Sequence, residues 1–193
     1  MNWGIAQELR RKAFHLSILL VIVLYAIIER SVSRQVALFT LIFVLLILLA
    51  MEYLRLELNI DIPFVDRLIR AKEHRRMNGA IYFLSATIIL IAVLDFKIAL
   101  AALLMTTFGD LSAALVGQQF GKTYIFKNKT VKGCAGELVI NLIVGFIVLQ
   151  NIYIILAMSI TATVVETFVN ELEDNLFVPL FAGFVGQLIF FLL

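Results

Sequence analysis

The sequence predicts an all-α, polytopic integral membrane protein with about seven transmembrane helices, and three observations carry that expectation. Of 193 residues, 62% are hydrophobic and only 16% charged, with a mean hydropathy of +1.02, a balance more apolar than soluble domains use. The apolar residues gather into runs near the ~20 residues that cross a ~30 Å hydrocarbon layer as a helix. Within those runs Leu, Ile and Val follow one another without the polar alternation of a barrel strand, which leaves helices to satisfy the backbone in lipid.

The runs are Ala13–Ile28, Val36–Leu54, Ala80–Leu94, Ile98–Val116, Ala135–Leu149, Ile152–Val169 and Leu176–Leu193. The first is short, carries His15 and follows Arg10, Arg11 and Lys12, a start that could pass for a signal peptide. Glu29 and Arg30 follow it with no small-residue cleavage site, so it is expected to stay. No internal repeat, low-complexity tract or second domain interrupts the remainder, and residues 1–193 read as a single transmembrane unit.

Orientation follows from the connections. An odd number of spans places the N-terminal segment, Arg55–Gly79, Gln118–Cys134 and Asn170–Asn175 on one side. That side collects thirteen basic residues: Arg10, Arg11, Lys12, Arg55, Arg67, Arg70, Lys72, Arg75, Arg76, Lys122, Lys127, Lys129 and Lys132. Arg30, Arg34 and Lys97 fall opposite, so the first side is expected to be cytoplasmic. In Arg55–Gly79, Phe64, Val65, Leu68 and Ile69 allow either a short interfacial helix or a solvated connector.

Composition also excludes some chemistry. Cys134 is the single cysteine, which rules out an internal disulfide and a cysteine metal cage. His15 and His74 have no second histidine at ligand spacing. A net charge of +2 is too small to argue for a nucleic-acid partner.

Ionisable groups inside spans cost roughly 2.5–3.5 kcal/mol each on insertion scales, which makes Asp110, Glu137 and Glu166 functional candidates. On the fourth run Thr106, Asp110, Ala113 and Gly117 share a face small enough for close approach. Glu137 and Asn141 share one on the fifth, and Ser159, Thr163, Glu166 and Asn170 on the sixth. Interhelical hydrogen bonding is the competing explanation for these stripes. The connection from Gly117 to Gly133 contains Gly121, Lys122, Lys127, Lys129 and Lys132. Glycines admit phosphate oxygens to backbone N–H groups, lysines supply point charges, and a helix N-terminus begins nearby, although the spacing is not that of a Walker loop. A basic phosphate cradle beside carboxylates able to hold Mg²⁺ suits phosphoryl transfer. The last cytoplasmic connection adds Glu171, Glu173 and Asp174 with no compensating base.

Several dispersed segments resemble the dolichol kinase and phytol kinase family. They are Gly109-Asp110, Ala113-Ala114, Gly117, Phe120-Gly121-Lys122, Asn128-Lys129-Thr130 and Gly133. They extend to Arg11-Lys12-Ala13-Phe14-His15 at the start, and to Val165-Glu166 and Asp174-Asn175-Leu176 with Pro179 at the end. The resemblance covers nearly the whole chain. It implies a multi-helix membrane kinase that takes its phosphate from CTP with Mg²⁺ and acts on dolichol, phytol, a related prenol or, in one branch, diacylglycerol. Carried over by position, Asp110, Glu166 and Asp174 would form the metal site, with Asp110 or Glu166 as base. Lys122 and Lys129 would hold phosphates, and Asn128, Thr130 and Asn175 would orient the nucleotide, with Gly117, Gly121, Lys132 and Gly133 in the same cradle. Two positions depart from the pattern: Lys132 stands where the family usually has glutamate, and Cys134 where it has serine or threonine. A lipid-phosphate cytidylyltransferase would need similar metals and lysines, and a small transporter would need acids across the bilayer rather than near one face.

Overall fold

The computed structural model describes residues 20–58, 77–127, 129–169 and 174–193. Among these residues the chain forms seven helices and one two-stranded antiparallel hairpin. The helices are α1 (20–31), α2 (Arg34–Leu56), α3 (Gly79–Val93), α4 (Phe96–Phe120), α5 (Val131–Val148), α6 (Ile152–Phe168) and α7 (Asp174–Leu192). The hairpin, β1 (Tyr124–Phe126) and β2 (Lys129–Thr130), joins α4 to α5, within what the sequence presents as an irregular connection.

Short polar residues start the helices. Ser33, Asn78, Asp95, Thr130 and Asn151 each accept a hydrogen bond from a backbone N–H two or three residues on, at 2.9–3.2 Å, which satisfies donors that the first turn leaves unpaired. Four of these caps fix the helix starts within two residues of where the apolar runs begin, and Thr130 starts α5 at Val131, four residues before its run.

Four helices, α2, α4, α5 and α7, are long and apolar enough to cross a membrane, whereas α3 and α6 have 15 and 17 residues. Large apolar side chains cover the outer surface of the bundle, among them Phe39, Phe43, Phe146, Ile160 and Phe191. Such an exterior is compatible with an integral membrane protein and would be a severe aggregation liability in water.

The interior is organised around α4, which touches α3, α5, α6 and α7 and buries Ala99, Ala101, Ala102, Leu103 and Met105 completely. Small residues let the helices close on one another. A Cβ at Gly145 of α5 would meet Ile155 Cγ2 at 2.6 Å, and one at Gly183 of α7 would meet Leu90 Cδ2 at 2.6 Å. At the opposite end from the hairpin, the Arg34 guanidinium donates to the carbonyls of Ile91 and Ala92 at 2.8 and 3.3 Å, serving the C-terminus of α3. The basic and amphipathic stretch 59–76, the first nineteen residues, Asn128 and residues 170–173 lie outside the described residues.

Candidate functional site

The α4 stripe predicted to receive a close neighbour receives the start of α5. Built Cβ atoms at Gly133 and Gly117 would meet Ala113 O at 2.9 Å and Thr130 Oγ1 at 3.1 Å respectively, while Gly121 lies against the Thr130 methyl and hydroxyl. The space beside Gly117, Gly121 and Gly133 is therefore filled by Thr130 and by backbone. Their visible role is close approach of α4, the hairpin and α5, rather than an open cradle. Thr130 is buried and accepts from Gly133 N at 3.1 Å as the cap of α5.

That packing sets the depth of three carboxyl groups. Asp110 sits two turns before Gly117 on α4, Glu166 near the C-terminal end of α6, and Asp174 at the first position of α7. One oxygen from each lies within 4.8 Å of the others, with Glu166 and Asp174 buried and Asp110 partly so. Residues separated by 64 positions in sequence thus converge at one end of the bundle. Gly109 makes room for this: its Cβ would strike Asn141 Oδ1 at 2.5 Å and Glu137 Cγ at 3.2 Å.

Lys129 reaches into the cluster from β2 and donates to Glu166 Oε1 in a buried ion pair. Burial alone would lower the Lys129 ammonium. The Glu166 carboxylate, with Asp110 and Asp174 farther off, more than offsets that and holds it well above its ordinary value. Asn175 is buried beside the cluster, its N–H donating to Asp174 Oδ1 at 2.7 Å. Pro179 in α7 has no N–H to offer the Asn175 carbonyl one turn earlier. Lys122 and Lys132 are exposed at the same end.

Glu137 belongs to this neighbourhood too. It is 2% exposed and lies within electrostatic reach of Glu166, Lys129 and Asp110. Its place on the fifth polar stripe makes it a candidate from sequence, but nothing in the sequence says that its stripe faces Asp110. Below it the polar stripe continues inward: Asn141 Nδ2 donates to Thr163 Oγ1 at 3.1 Å, so this part of the pattern is interhelical hydrogen bonding. Cys134 Sγ lies 3.4 Å from Thr167 Oγ1, linking α5 to α6.

The cluster fits a hard divalent cation. Oxygen ligands about 2.1 Å from Mg²⁺ stand roughly 3–4 Å apart, so the observed separation needs only a small closure. With four carboxyl groups around one ammonium, full ionisation leaves an excess of negative charge that either protons or a divalent cation would neutralise. No family model, curated protein or solved structure matches the chain.

Proposed function

We propose that the chain is a CTP-dependent lipid kinase that phosphorylates the hydroxyl of an isoprenoid alcohol at the cytoplasmic face of a membrane. In this reading the seven apolar runs are seven spans, with the hairpin end of the bundle cytoplasmic. The observation that carries the reading is the convergence of Asp110, Glu166 and Asp174 from three helices, with Lys129 paired to Glu166 and a lysine-rich connection alongside. The choice of CTP and of an isoprenoid acceptor rests on the sequence resemblance.

Asp110, Glu166 and Asp174 would hold Mg²⁺, which supplies charge neutralisation on the transferring phosphoryl group. Lys129, locked by Glu166, presents a fixed positive charge at the edge of that site, and Lys122 and Lys132 offer mobile ones to the outer phosphates. Thr130 and the three glycines act indirectly, by fixing the strand that carries Lys129. Asn128 and Asn175 remain candidates for orienting the nucleotide. The acceptor oxygen forms its bond to the γ-phosphorus, CDP leaves, and the hydroxyl proton passes to a carboxylate. Asp110 suits that last role better than Glu166, because it is the more accessible of the two and Glu166 is committed to Lys129.

The purified protein in detergent, given γ-labelled CTP or ATP, Mg²⁺ and a panel of prenols and diacylglycerol, is expected to produce labelled prenyl phosphate from CTP. Label on diacylglycerol alone would move the chain to that branch. CDP-lipid formed from added lipid phosphate, with no phospho-alcohol from any acceptor, would make it a cytidylyltransferase instead.

A further inference from the structure

The hairpin between α4 and α5 has a surface that the chemistry above does not use. All three residues of β1 are exposed, Tyr124 at 65%, Ile125 at 50% and Phe126 at 38%. Ile125 is the extra residue of an irregular pairing between Tyr124 and Phe126, so the strand bulges there and presents three exposed apolar side chains in a row. β2 covers one edge only, with Tyr124 opposite Thr130 and Phe126 opposite Lys129, and the Phe126 ring touches Phe168 at a centroid distance of 5.7 Å. Phe120 and Val131, at the adjoining helix ends, extend the exposed apolar surface.

Lysines collar this tip. Lys122, Lys127 and Lys132 are exposed around it, and Lys127, in the left-handed region at φ 47°, holds its ammonium 5.1 Å from the Phe126 ring centre. The hairpin also joins two of the helices long enough to span a membrane, which puts it at the boundary of the hydrocarbon layer. An aromatic and aliphatic tip ringed by lysines at that depth is complementary to an anionic lipid surface. The rings sit among the headgroups, the Lys127 stem lies along the Phe126 ring, and its ammonium meets lipid phosphate. A nucleotide base would explain an exposed Tyr124 but not the exposed aliphatic Ile125 beside it.

We propose that the Tyr124–Phe126 hairpin inserts into the anionic headgroup layer of the membrane that houses the chain. The inference rests on reading α4 and α5 as spans. It does not depend on which reaction the site performs.

The test uses Trp3, the single tryptophan. In a Trp3→Phe background, Ile125→Trp is reconstituted into vesicles of phosphatidylcholine with and without phosphatidylglycerol, carrying spin-labelled lipids. Phe146→Trp on the outer surface of α5 is the control for the spans. The expected result is a blue-shifted indole for Ile125→Trp, quenched several-fold more by a label near the headgroup than by one deep in the chain. Quenching should rise with phosphatidylglycerol, and Lys127→Glu should remove that rise. A water-like, unquenched Ile125→Trp indole beside a quenched Phe146→Trp indole overturns the proposal and leaves the spans standing; quenching of neither removes both. Quenching of Ile125→Trp by added CTP but not by lipid would assign the tip to the nucleotide and overturn the proposal as well.

Discussion

Replacing Lys129 with methionine tests the charge arrangement of the site most directly. The Glu166 side chain is 2% exposed and Lys129 20%, so Lys129→Met leaves a desolvated carboxylate facing Asp110 and Asp174. Breaking a buried pair by removing one partner costs roughly 3–5 kcal/mol. For a chain of this size that lowers the unfolding midpoint by roughly 10–15 °C at about 2–4 °C per kcal/mol. Adding Glu166→Gln to Lys129→Met removes the stranded charge, so the double variant is expected to melt above Lys129→Met alone. Mg²⁺ should also restore part of the loss, since a ligand at about a hundred times its Kd contributes about 2.7 kcal/mol. The assay is thermal unfolding in detergent followed by a thiol-reactive fluorophore, with Cys134 as the only cysteine and half-buried beside Thr167. The pH sign is fixed as well. Lys129 is raised, so its contribution is fully present below the unfolded value and fades only as pH climbs through the folded one, leaving neutral and mildly alkaline melts unchanged. If Lys129→Met melts with the wild type, or if the double variant loses as much as the two single losses added together, Lys129 does not neutralise Glu166 and the reasoning fails.

Other expectations follow from the same geometry. Asp110→Asn and Asp174→Asn should abolish Mg²⁺-dependent thermal stabilisation and turnover while the protein remains inserted, whereas chelation of the wild type should mimic the loss; stabilisation by Mg²⁺ equal to wild type in both variants would remove the cation site. Gly109→Ala places a methyl group against Asn141 and should cost about 1–3 kcal/mol, with turnover falling because Asp110 moves with it; normal melting and turnover would contradict that packing. Gly145→Ala and Gly186→Ala form a contrasting pair. Gly145 faces the stiff, β-branched Ile155 and should lose most stability, while Gly186 faces the fully buried Met158, with Ile98 Cγ2 at 3.1 Å, and should lose less because the thioether chain can change rotamer. Equal melting of the two would argue against these contacts. Glu52→Ala removes a carboxylate paired with the buried Arg55 and the acceptor for Asn78 N at 2.8 Å, and is expected to lower the unfolding midpoint.

The helical architecture was legible because lipid-length apolar runs and polar punctuation are local properties, and the caps at Ser33, Asn78 and Asp95 stand where those runs begin. The convergence of Asp110, Glu166 and Asp174 was legible in part, since Asp110 and Glu166 are costly in lipid and Asp174 belongs to the short acidic connection that follows the run carrying Glu166. Which faces meet is a tertiary fact, however, so Glu137 could be singled out by its stripe but not placed beside Asp110. The glycine-lysine connection shows the limit most clearly. Glycines that admit a phosphate and glycines that admit a neighbouring helix look alike in sequence, and Gly117, Gly121 and Gly133 do the second. Glu52 lies inside an apolar run three residues before Arg55, a pairing the sequence offers, but its contact with Asn78 at the start of α3 is made only by packing.

The guanidinium of Arg34 at the end of α3 bears on how such a bundle is assembled. At about 1.5 Å per residue, α3 rises only some 22 Å, short of an ordinary hydrocarbon layer. Alone in lipid its last carbonyls would end below the headgroups without donors, at several kcal/mol for each group. Arg34, from the start of α2, supplies those donors. On the seven-span reading proposed above, α3 would be stable at that depth only once α2 stands beside it, which would make the α2–α3 pair, rather than either helix, the smallest unit that a translocon could release into the bilayer as a finished piece.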